Sequence, residues 1–243
     1  MDWILFVLVF YFGSCLASFL ILVGMRVPRG ESIVFPPSHC EACGHRLNAT
    51  ELFPILSFLW QKGRCRQCGI SLPSLYFVLE LSGGLSFCFI IVSFATDPDT
   101  SLALFLIWGF GIVLTASDVT SFLLPNSIMR GFFLSVLLFQ FHSNRSLFFS
   151  SLSSGAGVFV LLYILYLLHP EGLGGGDVKL CGVLGVLLGY QATLFVIFLA
   201  SLSGLAFSLR HRRTAARTTP LPFGPFLILG SFLTVALESV LLK

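Results

Sequence analysis

Long apolar runs separated by short polar breaks make up most of this chain, and they leave few folds open to it. The runs lie at about 3–23, 75–95, 101–117, 127–141, 147–168, 178–189, 191–208 and 221–242. A helix needs roughly 20 apolar residues to cross a hydrocarbon core of about 30 Å, and most of these runs approach that length. Inside such a core every backbone N–H and C=O must be bonded internally, which leaves helices or closed barrels. Continuous apolar runs of this length are helical rather than strand-like. The chain is 56% hydrophobic and only 10% charged, with a mean hydropathy of +0.95, well outside a soluble domain. The expectation is an all-α polytopic membrane protein with about eight transmembrane helices. The run after Met1-Asp2-Trp3 has no basic segment before it and no A-x-A-like site after it, so it reads as a retained helix. A net charge of +3 gives no support to nucleic-acid binding.

Charge divides and orients the chain. Residues 24–74, the one long polar segment, hold six of the fourteen Lys and Arg. The predicted organisation is a first helix at 1–23, a polar module at 24–74, and a membrane core at 75–243 with seven helices. With the N-terminus outside, the inner segments also gather Arg130, Lys179, Arg210, Arg212, Arg213 and Arg217, while Arg145 and Lys243 fall outside. The cytoplasmic bias of Lys and Arg selects this orientation, with both termini outside. Asp118, Asp177 and the polar module then face the cytoplasm. The run at 178–189 is twelve residues, about 18 Å of helix. Fusing it with 191–208 would move Arg210 to Arg217 outside, so the reading keeps two helices broken near Gly189-Tyr190. Gly182, Gly185 and Gly189 would let the short helix pack closely, and a thinned bilayer would admit water near Asp177.

The candidate chemistry lies in Gly172-Leu173-Gly174-Gly175-Gly176-Asp177-Val178-Lys179-Leu180. A carboxylate at a membrane boundary is costly and is a functional candidate by default. The glycines admit positive φ and let another backbone approach Asp177. The bland alternative is that Asp177 merely caps a helix. Its best partner is Asp118, at the end of another apolar run. Two adjacent carboxylates can share one proton, the neutral acid polarising a peptide carbonyl while the anion takes a proton from water. That is aspartic protease chemistry.

Cys40-x-x-Cys43 and Cys65-x-x-Cys68 are separated by 21 residues. Paired CxxC knuckles suit one tetrahedral zinc; two disulfides and an iron–sulfur cluster are the alternatives, and a reducing cytoplasm disfavours the disulfides. Gly44 and Gly69 would help each knuckle bend back. His39 and His45 read as surface histidines, and Cys15, Cys88 and Cys181 as small core residues.

Asp118 lies seven residues before Pro125-Asn126, and Gly174-x-Gly176-Asp177 is followed by Lys179-Leu180. Together these resemble the type IV prepilin peptidases, intramembrane aspartic proteases of the GxGD type. The polar module adds Phe35-Pro36-Pro37-Ser38-His39-Cys40, Pro54-Ile55-Leu56-Ser57 and Gly63-Arg64-Cys65-Arg66-Gln67-Cys68. Tyr76, Glu80-Leu81 and Phe223-Gly224-Pro225-Phe226 extend the likeness over nearly the whole chain. Thr120 stands where the family often has a further Asp, and Asn126 is a variant of its pattern.

The resemblance implies an aspartic endopeptidase of the bacterial cytoplasmic membrane. It would cut the basic leader from prepilins or pseudopilins after a glycine, at the cytoplasmic face. Many members then N-methylate the new terminus with S-adenosylmethionine, and 24–74 would be the associated module. The implied site is Asp118 and Asp177 as catalytic residues, with Gly174, Gly176, Lys179 and Glu80 near substrate. One structural zinc per chain on Cys40, Cys43, Cys65 and Cys68 is also expected. Leader peptides and the lipid bilayer would be the partners, and no nucleic acid. No glycine-rich nucleotide loop after a strand marks a methyl-donor site. A transporter with intramembrane carboxylates would show flux without proteolysis. A zinc-stabilised scaffold without catalysis would tolerate isosteric loss of either Asp.

Overall fold

A computed structural model of the chain describes residues 3–143, 145–169, 172–211 and 221–241. Arg212, Arg213, Arg217 and Lys243, which entered the charge reading, lie outside the described residues. The helices are α1 (Trp3–Arg26), α2 (Leu56–Trp60), α3 (Ser74–Phe94), α4 (Pro98–Ser121), α5 (Asn126–Ser143), α6 (Phe148–Leu168), α7 (Gly175–Leu188), α8 (Tyr190–His211) and α9 (Gly224–Leu241). Two isolated bridges, His39 with Arg46 and Arg64 with Ser71, are the only strand-like pairing among the described residues. Every expected apolar run is a helix. Five helices are long and apolar enough to cross a membrane: α1, α3, α4, α6 and α8. The apolar part of α9, Gly224–Glu238, is shorter. α7 has 14 residues, and α5 carries Asn126, Arg130, Gln140 and His142 along its length.

The chain forms two compact units, Met1–Thr96 and Asp97–Lys243. In the first, α1 packs on α3 through a face of small residues. Gly13, Ser14, Ala17, Ile21 and Gly24 are buried on α1, against Leu79, Gly83, Gly84 and Cys88 on α3. Removing Cβ atoms lets helix backbones approach, which is where dispersion contacts between membrane helices are gained. Cys15 departs from expectation. It is exposed on α1, whereas Cys88 and Cys181 are buried. A helix apolar on every side gives hydropathy no means of saying which side turns inward.

In the second unit α7 is the central helix. Val178 and every residue from Leu180 to Leu187 are buried, and α5, α6, α8 and α9 all pack against it. Its 14 residues span about 21 Å. A helix enclosed by protein has no need to match the bilayer. The α6–α7 contact is close because Gly155 meets Gly185, where an added Cβ on Gly185 would lie 2.9 Å from the Gly155 Cα. Gly189 then ends α7 at φ 84° and ψ 171°, a conformation open to glycine, and α8 starts at once with Tyr190. The break predicted near Gly189-Tyr190 is therefore present. The last carbonyls of α7 are met from another helix. Gln140 Nε2 of α5 donates to the carbonyls of Val186 at 2.6 Å and Leu187 at 3.1 Å.

Candidate active site and metal centre

Asp118 is carried by the last turn of α4. Phe122 stops that helix in the left-handed region at φ 53°, and its N–H returns to the Asp118 carbonyl at 2.8 Å. The Asp118 side chain is buried at 7% exposure. Its Oδ2 accepts the backbone N–H of Gly224 at 2.8 Å, where α9 begins. A Cβ on Gly224 would lie 2.9 Å from that same oxygen, so a side chain there would press on the carboxylate. The positive end of α9 adds to the hydrogen bond. Thr120, at the position of the family's frequent further Asp, donates its hydroxyl to the Ala116 carbonyl of its own helix at 2.7 Å.

Asp177 is the third residue of α7, not its cap. The N-cap is Gly174, in extended conformation at φ −72° and ψ 132°. The Asp177 side chain folds back over it, for a Cβ on Gly174 would lie 2.7 Å from Asp177 Oδ2. A Cβ on Gly176 would lie 3.1 Å from the Leu124 side chain in the α4–α5 turn. Neither glycine has a positive φ. The run thus serves by omitting side chains, not by bending the backbone unusually. The first turn of α7 is thereby seated against the α4–α5 turn that follows Asp118. The two carboxylates singled out in the sequence come together.

Lys179 and Glu80 have partners of their own. Lys179 Nζ donates to Asn126 Oδ1 at 2.8 Å. Two residues along a helix is about 200° of rotation, so Lys179 leaves α7 on the side away from Asp177. Glu80, in α3 of the first unit, accepts the Ser18 hydroxyl at 2.7 Å and the Ile55 N–H at 2.8 Å. Ile55 has φ 64°, rare for a β-branched residue, and the Glu80 bond holds its amide in place just before α2. Gly224 and Gln140 are the polar contributors that the sequence did not single out. Phe223-Gly224-Pro225-Phe226 was visible as a motif, but nothing in it announces a backbone donor.

The metal centre also lies in the first unit. The Sγ atoms of Cys40, Cys43, Cys65 and Cys68 all fall within 4.8 Å of one another, and none is in a disulfide. Cys40 and Cys68 are 3.9 Å apart and Cys43 and Cys65 4.0 Å. A zinc tetrahedron with arms of about 2.3 Å has edges of about 3.8 Å, so the four thiols fit one metal ion. Both knuckles have the same construction. Cys40 N–H reaches the His45 carbonyl and Cys65 N–H the Ile70 carbonyl, each at 2.9 Å. Gly44 at φ 71° and Gly69 at φ 72° turn the chain back, as expected. The amides of Cys68 and Gln67 point at Cys65 and draw its thiol down to about 6. His39 is exposed, bonded to the Pro37 carbonyl at 3.0 Å. His45 is more than a surface group. Its Nε2 lies 3.2 Å from Oε2 of the buried Glu51, which also accepts the Asn48 N–H at 2.9 Å.

Profiles of two families match. The Bacterial Peptidase A24 N-terminal domain covers residues 11–94, and the Type IV leader peptidase family covers 104–209. The chain is 33% identical over 230 residues to a prepilin leader peptidase/N-methyltransferase of Bacillus subtilis, covering 93% of this chain and 92% of that protein. Aeromonas salmonicida has a protein of the same name, 30% identical over 267 residues, covering 97% of this chain and 91% of its own length. One from Myxococcus xanthus is 32% identical over 219 residues, covering 88% and 65%. No solved structure matches.

Proposed function

The chain belongs to the type IV leader peptidase family, and on that premise we propose that it cleaves prepilin or pseudopilin leaders with Asp118 and Asp177 as its acid–base pair. It is a peptidase of the membrane, and neither a transporter nor a non-catalytic scaffold is favoured by that membership. The observation that carries the reading is Asp118, fixed by the Gly224 N–H, with the first turn of α7, which bears Asp177, seated against the α4–α5 turn just beyond it. Two carboxylates so placed hold one proton between them. The protonated oxygen donates to the scissile carbonyl of the substrate. The anionic partner removes a proton from water as its oxygen bonds to the carbonyl carbon. The pair then returns a proton to the leaving amine, and the two Asp regain their starting state. Gly174 and Gly176 lie beside Asp177, near the bound peptide, and the side chains they lack leave the space that Asp177 and Leu124 fill.

Asp118→Asn and Asp177→Asn test this directly. Each keeps size and much of the hydrogen bonding but cannot complete the proton cycle. Mass spectrometry of a prepilin incubated with either purified variant should find uncut substrate, with protein yield near that of the parent chain. Cleavage by either variant at a substantial fraction of the parental rate would refute the assignment.

N-methylation of the new terminus is the second activity, supported by the names of the relatives. S-adenosylmethionine would supply the methyl group. The four thiols of the first unit would hold one structural zinc. Metal analysis should find about one zinc per chain. Full methylation by chelator-treated, zinc-free protein would remove that role. The working location is the bacterial inner membrane with both termini outside, which turns the carboxylate pair toward the cytoplasm and the leader.

A further inference from the structure

On the side of α7 turned away from Asp177, the second unit carries a groove that the cleavage chemistry does not use. It begins as a cavity of about 600 Å³ bordered by Asn126, Arg130 and Lys179. It continues into an apolar slot of about 270 Å³ lined by Ala156, Phe159, Gly182 and Val186. Phe133, Lys179 and Val183 border both, so the two spaces are continuous. The groove exists because α5 and α6 each pack on α7 and hardly on each other. Small residues, Gly155, Ala156 and Gly182, form part of the slot.

The head of the groove is basic. Lys179 Nζ donates to Asn126 Oδ1, and Arg130 Nε to the Asn126 carbonyl at 3.3 Å. Both acceptors are neutral. Among the described residues neither cation forms an ion pair, and no carboxylate lines either space. Both cations also sit within the first two turns of their helices, α5 and α7, whose positive ends point the same way. Basic pockets between membrane helices select anionic head groups, and an apolar slot beneath one takes a hydrocarbon chain.

We propose that this groove binds an anionic phospholipid, its phosphate on Arg130 and Lys179 and an acyl chain in the slot of Ala156 and Gly182. The site rests on the membrane location of the chain and not on the peptidase reading. It is assayed without turnover, so the two readings fail separately.

The test is native mass spectrometry of the full-length chain in detergent, titrated with phosphatidylglycerol or phosphatidylcholine. Phosphatidylglycerol should be retained more tightly. Arg130→Gln and Lys179→Gln should each weaken it about fivefold and leave phosphatidylcholine unchanged. Ala156→Phe, which fills the slot, should weaken both lipids. Equal retention of the two lipids by the parent chain would overturn the proposal, as would unchanged phosphatidylglycerol affinity in the charge variants. Displacement by inorganic phosphate at matching concentration would mean that a free anion is the ligand. Displacement by a purified prepilin would mean that the groove belongs to the substrate. Either result removes the lipid as occupant.

Discussion

At Asp118 one backbone N–H, that of Gly224, fixes a carboxylate oxygen, and the donor is a residue without a side chain. Gly224→Ala would place its Cβ 2.9 Å from Asp118 Oδ2, so the carboxylate must turn or α9 must withdraw. The expected result is a loss of kcat on the order of 100-fold, with KM nearly unchanged, because the defect is orientation and not substrate contact. Steady-state cleavage of a prepilin peptide by folded Ala variant would show it; wild-type kcat would mean the amide is dispensable. Asp118 and Asp177 were legible because an acidic residue at the edge of an apolar run is conspicuous. Gly224 was not, since any residue but proline has an amide and only the fold shows which one is used. Glu51 offers a pH test. The Asn48 amide and the His45 ring hold its carboxyl below the usual carboxylate range. A depressed carboxyl adds stability above its unfolded pKa of about 4.3 and loses it as pH falls through the lower folded value. Glu51→Gln should therefore melt lower than the parent at pH 7, and the gap should close on acidification below about pH 4. A gap independent of pH would assign the loss to packing.

Among the elements, α7 is the one whose length needed the structure to explain it. Its short apolar run and the break at Gly189 were readable, because glycine punctuates and the positive charges beyond residue 209 opposed a single crossing. That α7 is ringed by four other helices was not readable, nor was the donor that meets its final carbonyls. Gln140 is one polar residue in an amphipathic run, and no spacing ties it to residues 186 and 187. Gln140→Leu should cost about 1–3 kcal/mol, the range for stranding buried acceptors, with a lower melting temperature in detergent. A variant as stable as the parent would show that the carbonyls find other donors. The same limit explains Cys15. Helices α1 and α3 are apolar all round, so the inward face is set by small residues meeting across the contact and not by a hydrophobic stripe.

For the molecule as a whole, orientation is the proposal most open to direct measurement. Thr96→Cys should react with an impermeant maleimide from outside intact cells, and His211→Cys only after permeabilisation. External labelling at 211 would mean that α7 and α8 together cross once. The division between Thr96 and Asp97 has a genetic consequence. Asp118, Asp177 and Gly224 all come from the second unit, and every thiol of the metal centre comes from the first. Lesions on the two sides of that boundary should therefore fall into separate complementation groups. A cell carrying one Asp118→Asn copy and one Cys40→Ser copy should yield trimmed, methylated pilin, the second copy cutting and the first modifying what is released. Absence of that product from the doubly mutant strain, with both chains present in the membrane, would show that one intact chain must perform both steps on each pilin.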